Sequence, residues 1–146
     1  VLMFGWNTNS DLVQAAKQVS KKLGLPVYNI VPPPRKMFCG IPRKLDVGPC
    51  EFLSMIKNAE FVVTNSFHGT AFSTTFEKPY VSIVSGKADT RMHSLLAQLG
   101  LSDHLVTKDN IDVDKMLATD FTPVRDRKKA LRQTSFDYLK NALKGL

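Results

Sequence analysis

Two rhythms of apolar residues alternate along the chain. Short runs rich in β-branched and large apolar residues fall at 1–4, 27–31, 61–63, 79–84 and 104–107, and between them apolar residues recur every three or four positions. The first rhythm suits strands of a sheet covered on both faces, the second amphipathic helices. After the first run, Asn7-Thr8-Asn9-Ser10-Asp11 supplies turn and capping residues. Leu12, Ala15, Ala16, Val19 and Leu23 then mark one face of a helix whose other side carries Lys17, Gln18, Lys21 and Lys22. Gly24 is a good terminator, and Pro26 opens the next strand. Strand, helix and strand joined by short loops make a βαβ unit, which is nearly always right-handed and parallel.

Pro32-Pro33-Pro34 interrupts the rhythm, and the segment to Val47 reads as an extended basic loop with a short strand around 37–41. A solvated loop is the favoured reading of its basic residues. Gly48-Pro49 starts a second helix, since proline in the first turn lacks only an N–H that has no partner there. Phe52, Leu53, Met55, Ile56 and Ala59 form its buried face, and Glu51 in the first turn complements the helix dipole. Further on, a helix over 90–99 carries Arg91 near its start, buries Met92, Leu95, Leu96 and Leu99, and stops at Gly100. A short helix over 113–118 and a long basic helix from Pro123 to Leu143 complete the chain. The pattern predicts an α/β, Rossmann-like three-layer domain with a mostly parallel sheet.

The central stretch, 60–80, reads as a buried strand, an abrupt polar turn and a helix that begins at once. Asn65 or Ser66 is placed to cap that helix, Gly69 to let a ligand approach the backbone of its first turn, and His68 lies inside that turn beside Thr70. A helix start carries unpaired N–H donors and partial positive charge, so the turn is a candidate anion site. An imidazole also titrates near neutral pH, which makes His68 a candidate for acid–base work; a purely structural histidine is the competing reading. The second polar loop, 85–89, contains Lys87 and follows a strand that would end at the same sheet edge. Ligands of open α/β sheets bind along that carboxyl edge.

Composition narrows the chemistry. With 146 residues, 43% hydrophobic and 23% charged, the chain is long enough for one self-sufficient core. It has no apolar run near the ~20 residues that a membrane-spanning helix needs and no targeting signal, and we expect a cytoplasmic protein. Its net charge of +7 suits an anionic partner as well as simple solubility. Cys39 and Cys50 fit neither a disulfide framework nor a metal-ligand spacing, and His68, His93 and His104 are each isolated, so no metal is expected. Ser66 lacks the flanking glycines of a nucleophile elbow, and no glycine-rich phosphate loop occurs. Arg125, Arg127, Lys128, Lys129 and Arg132 form a dense basic run, for which a solvated helix face is favoured over nucleic-acid binding.

Several segments carry a family resemblance: Gly48-Pro49-Cys50-Glu51-Phe52-Leu53, Ile56-Lys57-Asn58-Ala59, Val63-Thr64-Asn65-Ser66-Phe67-His68-Gly69-Thr70-Ala71-Phe72-Ser73 and Phe76-Glu77-Lys78-Pro79. Together with Arg91-Met92-His93-Ser94-Leu95-Leu96 and Leu99-Gly100-Leu101, they resemble the C-terminal half of the polysaccharide pyruvyl transferase family. The resemblance implies half of a B-type glycosyltransferase-like architecture, in which two Rossmann-like domains face each other across a cleft. Residues 1–146 would be the second of these. A start at Val1, directly in a strand, agrees with a segment of a longer protein whose N-terminal domain is a partner. It further implies transfer of enolpyruvyl carbons from phosphoenolpyruvate to a sugar of a bacterial cell-surface polysaccharide, with no cofactor beyond that donor substrate. His68 matches the histidine associated with the donor; Asn65, Ser66, Gly69, Thr70, Glu51, Lys87 and Arg91 are the substrate-binding candidates. The better-studied branch has arginine-leucine just before that histidine where this chain has Ser66-Phe67, so Arg91 or Lys87 would supply the missing charge. A nucleotide-sugar-dependent glycosyltransferase and a non-enzymatic anion- or nucleic-acid-binding module are the alternatives.

Overall fold

A computed structural model of the chain describes residues 1–5, 9–30, 40–41, 43–44, 46–84 and 90–144. Strands β1 (Leu2–Phe4), β2 (Tyr28–Ile30), β3 (Arg43–Lys44), β4 (Val62–Thr64), β5 (Tyr80–Ile83) and β6 (Leu105–Val106) form one sheet in the order β3-β2-β1-β4-β5-β6. Every pairing is parallel, with Leu2 opposite both Tyr28 and Val62, and Val62 opposite Tyr80. β3 lies beyond the 37–41 stretch that the pattern points to, of which 37–39 fall outside the described residues. It is a two-residue edge strand, Arg-Lys, and short charged edges resist further pairing.

Each helix begins and ends for a local reason. In α1 (Ser10–Leu23) the Asn9 side chain accepts the Leu12 N–H at 2.9 Å, and Gly24 closes the helix at φ 66°. In α2 (Pro49–Lys57) Pro49 occupies the first turn, and Glu51 is the acid of that turn. α3 (Phe67–Thr75), α4 (Thr90–Leu99), α5 (Val113–Leu117) and α6 (Thr122–Leu143) follow, with a 3-10 turn Ser102–His104 before β6.

Strand alternation divides the core into two layers. Val1, Met3, Phe61, Val63, Val81 and Ile83 face α1 and α5, packing on Leu12, Ala16, Val19, Val113 and Met116. Leu2, Phe4, Val62 and Tyr80 face the other way, toward Ile56 of α2, Leu96 and Leu99 of α4 and Val124 of α6, with Phe72 of α3 and Phe76 just after it packed alongside. The expected three-layer, Rossmann-like α/β fold is therefore the one observed.

The basic run of α6 is the expected solvated face, with Arg125, Arg127, Lys129 and Arg132 exposed. It also makes bonds the sequence does not reveal: Arg125 makes a two-pronged ion pair with Glu77, Arg127 donates to the Leu99 carbonyl at 2.7 Å, and Lys128 reaches the Thr75 carbonyl at 3.5 Å. Those carbonyls end α4 and α3, where the helix dipole favours cations. From Lys129 to Lys144 every residue of α6 is exposed, including Leu131, Phe136, Tyr138, Leu139 and Leu143. Among the described residues no helix is long and apolar enough to cross a membrane.

Candidate functional site

The strand order reverses between β1 and β4. Their following helices pack on opposite faces of the sheet, which opens a crevice at their carboxyl ends, the place where parallel sheets of this order bind ligands. The turn 65–70 lies on one side of that crevice. Asn65 leaves β4 with its side chain against Gly5 at the end of β1, so closely that a Cβ at Gly5 would overlap Asn65 Oδ1.

Ser66 stands at the N-cap of α3, in extended backbone at φ −107° and ψ 136°, but its side chain makes no capping hydrogen bond. The expectation that it caps the helix is corrected here: its N–H instead donates to Thr64 Oγ1 at 3.1 Å, and its carbonyl accepts from the Thr70 N–H and hydroxyl. The first turn of α3 also contains no acidic residue, so neither hydroxyl nor carboxylate of its own offsets the positive end of the dipole.

Gly69 has a different reason from the one the sequence suggests. It is buried, and a Cβ there would overlap Thr64 Oγ1 and lie 2.9 Å from Thr64 Cβ and 3.1 Å from Phe4 Cδ1. Glycine lets α3 sit close on β4 and β1. Thr70 is likewise internal, with no exposed surface, its hydroxyl 2.7 Å from Ser82 Oγ on β5 and 3.5 Å from Met92 Sδ on α4. Thr74 repeats the device one turn later, meeting the Tyr80 hydroxyl at 2.8 Å. Burial drives the Tyr80 phenol strongly upward and keeps it neutral. Hydroxyls thus tie α3 to β5 where apolar packing would be the usual expectation, and they fix the turn in place.

His68, by contrast, is exposed. Its ring meets the half-buried Phe67 ring edge-on at 5.9 Å and 80°, and the Arg91 guanidinium of α4 lies over that same Phe67 ring at 5.2 Å. The structure therefore brings Asn65, Ser66, His68, Gly69, Thr70 and Arg91 to one corner. Glu51 bends back on Gly48 and lines a cleft of about 380 Å³ with Lys44, Asp46, Cys50 and Ser54. Lys87 lies outside the described residues. Phe67 is the participant that sequence reasoning overlooked, because nothing local links it to a residue 24 positions away.

Two cavities open at the opposite, amino-terminal edge of the sheet. One, of about 550 Å³, is lined by Leu25, Pro26, Tyr28 and Met55, and the other, of about 450 Å³, surrounds His104. His104 itself is a packing residue, 2% exposed and tilted at 35° against the Tyr80 ring at 4.4 Å. By the edge rule the crevice, not these hollows, is the candidate site. Among the described residues no three His, Cys, Asp or Glu side chains gather to hold a metal.

A sequence model of polysaccharide pyruvyl transferases matches residues 2–86, more than half of the chain and all of it from β1 through β5. The chain belongs to the polysaccharide pyruvyl transferase family. The matched stretch contains the switch point, Glu51, the 65–70 turn and His68, whereas Arg91 and everything after it lie beyond the match. A search of individually curated proteins gives no significant match.

Proposed function

We propose that this chain is the donor-side domain of a pyruvyl transferase, which holds phosphoenolpyruvate at the amino end of α3 and passes its three carbons to a sugar of a cell-surface polysaccharide. The observation that carries the reading is an exposed His68 on an uncapped, acid-free helix start at the switch point of a family member's sheet. The reaction needs a proton at the methylene carbon of the enol, stabilisation of phosphate and carboxylate, and removal of the sugar hydroxyl protons. Two C–O bonds form at the central carbon and its bond to the phosphate oxygen breaks. One hydroxyl proton is balanced by the methyl group and the other by the departing phosphate. His68 is the proton-transfer group. Arg91 and the α3 amides take the anionic groups, in the manner of preorganised donors facing developing charge.

The acceptor saccharide and its base belong to the facing N-terminal domain, and the reaction takes place in the bacterial cytoplasm. Nucleic acid is no partner in this reading: three of the five cations in the basic run of α6 are spent on internal bonds.

Calorimetry with phosphoenolpyruvate against nucleotide-sugars tests the donor, and preference for a nucleotide-sugar would replace the pyruvyl reading. His68→Ala in the two-domain protein is expected to lower turnover about 10²–10⁴-fold, the range of a lost general acid. Because the side chain is exposed, the melting temperature should stay within about 2 °C of wild type. A large loss of stability with little loss of turnover would make His68 structural.

A further inference from the structure

We propose that Phe67 is a positioning residue of this site: its ring is the platform that holds the Arg91 guanidinium beside His68, so that α3 and α4 present one anion-recognising unit. The inference rests on the donor-site reading above and adds how a cation reaches it. The observation is geometric. Phe67 is the first residue of α3 and half-buried, so its ring is anchored by the helix. Its face carries Arg91 Cζ at 5.2 Å, inside the range of a cation–π contact, while the His68 ring meets it at 5.9 Å with the two planes at 80°.

Stacking engages the flat face of a guanidinium, whereas its N–H donors lie in the plane at the rim, where a phosphate or carboxylate binds. A long arginine side chain held in this way loses less freedom when an anion arrives. The two helices are themselves fixed to each other: Thr70 of α3 reaches Met92 of α4, and α6 ties down the far end of each. The ligand class this unit fits is a small acid bearing phosphate or carboxylate, and an aliphatic residue at position 67 would fill the same space without seating the cation.

The test uses the 146-residue chain. By NMR, the Arg91 side-chain protons should show an upfield ring-current shift that survives in Phe67→Tyr and vanishes in Phe67→Leu. In titrations with inorganic phosphate, Phe67→Leu and Arg91→Gln should each weaken binding about 3- to 10-fold at unchanged melting temperature, and the double variant should lose no more than Arg91→Gln alone. Phe67→Tyr should bind within about twofold of wild type. The proposal is overturned if wild type lacks the shift or binds no phosphate, if Phe67→Leu binds phosphate like wild type, or if the two losses multiply. A coupled phosphate site that phosphoenolpyruvate does not occupy would leave Phe67 in its role and remove the donor reading. Phosphoenolpyruvate binding with no coupling would do the reverse.

Discussion

His104 and Gly69 show how much a single side chain, or its absence, decides. His104 Nδ1 lies 2.9 Å from the Tyr80 carbonyl, which can only accept, so that nitrogen carries the proton, and Nε2 accepts from the Thr119 hydroxyl at 3.2 Å. Burial pushes its pKa down, opposed by that bond and by the Asp103 charge, while Lys115 pushes in the same direction as burial. The folded state therefore takes up a second proton, at Nε2, less readily than the unfolded one. Its contribution is intact above the ordinary imidazole pKa of about 6.5 and is lost as pH falls below it. Urea unfolding should show stability dropping more steeply from pH 7.5 to 5 in wild type than in His104→Asn, which keeps the Tyr80 bond without titrating; equal slopes would exclude the assignment. At Gly69, alanine would gain about 1 kcal/mol of helix propensity but collide with Thr64, whose Cβ is fixed by a central strand. Overpacking of this kind wins, and Gly69→Ala should cost about 1–3 kcal/mol, partly recovered by adding Thr64→Ala.

At the scale of elements, α6 is two different objects. Its first two turns are bound by Val124 in the core, by Arg127 on the end of α4, and by Arg125 paired with Glu77, whose carboxyl the guanidinium holds below the usual range. Glu77 accepts a left-handed backbone at φ 54° in the turn that makes this pairing. The remaining turns bury nothing within this chain. Ending the chain after Arg132 should consequently change stability by less than about 1 kcal/mol, a shift of only a few degrees in melting temperature. Val124→Asp, which buries a lone charge among apolar side chains, should cost more than about 3 kcal/mol. Hydrogen exchange should show the same boundary, with slow amides in the first turns of α6 and fast ones beyond Leu131. A truncation that unfolds the domain would mean that the distal turns pack on it after all. Arg125, Arg127 and Lys128 were legible in the sequence only as a charge run, because their acceptors lie 28 to 53 residues away.

At the scale of the whole molecule, the sheet is built outward from β1, whose neighbours on either side are β2 and β4. Met3 at its centre has no exposed surface, so Met3→Ala should cost about 2–5 kcal/mol and lower the single unfolding transition as a unit. The family match spans the switch point, and the turn before His68 can be recognised from the chain alone because strand, polar turn and helix are contiguous there. Within the described residues and apart from β3, the sequence determined where helices and strands lie, because periodicity and caps act over three or four residues, and it determined that the strands run parallel, because helices separate most of them. Only the tertiary structure decided the strand order, the internal use of Thr70 and Gly69, the cleft that Glu51 lines, and the meeting of Phe67 with Arg91. These are contacts between faces of elements far apart in the chain, and no local pattern of apolar and polar residues records which face meets which.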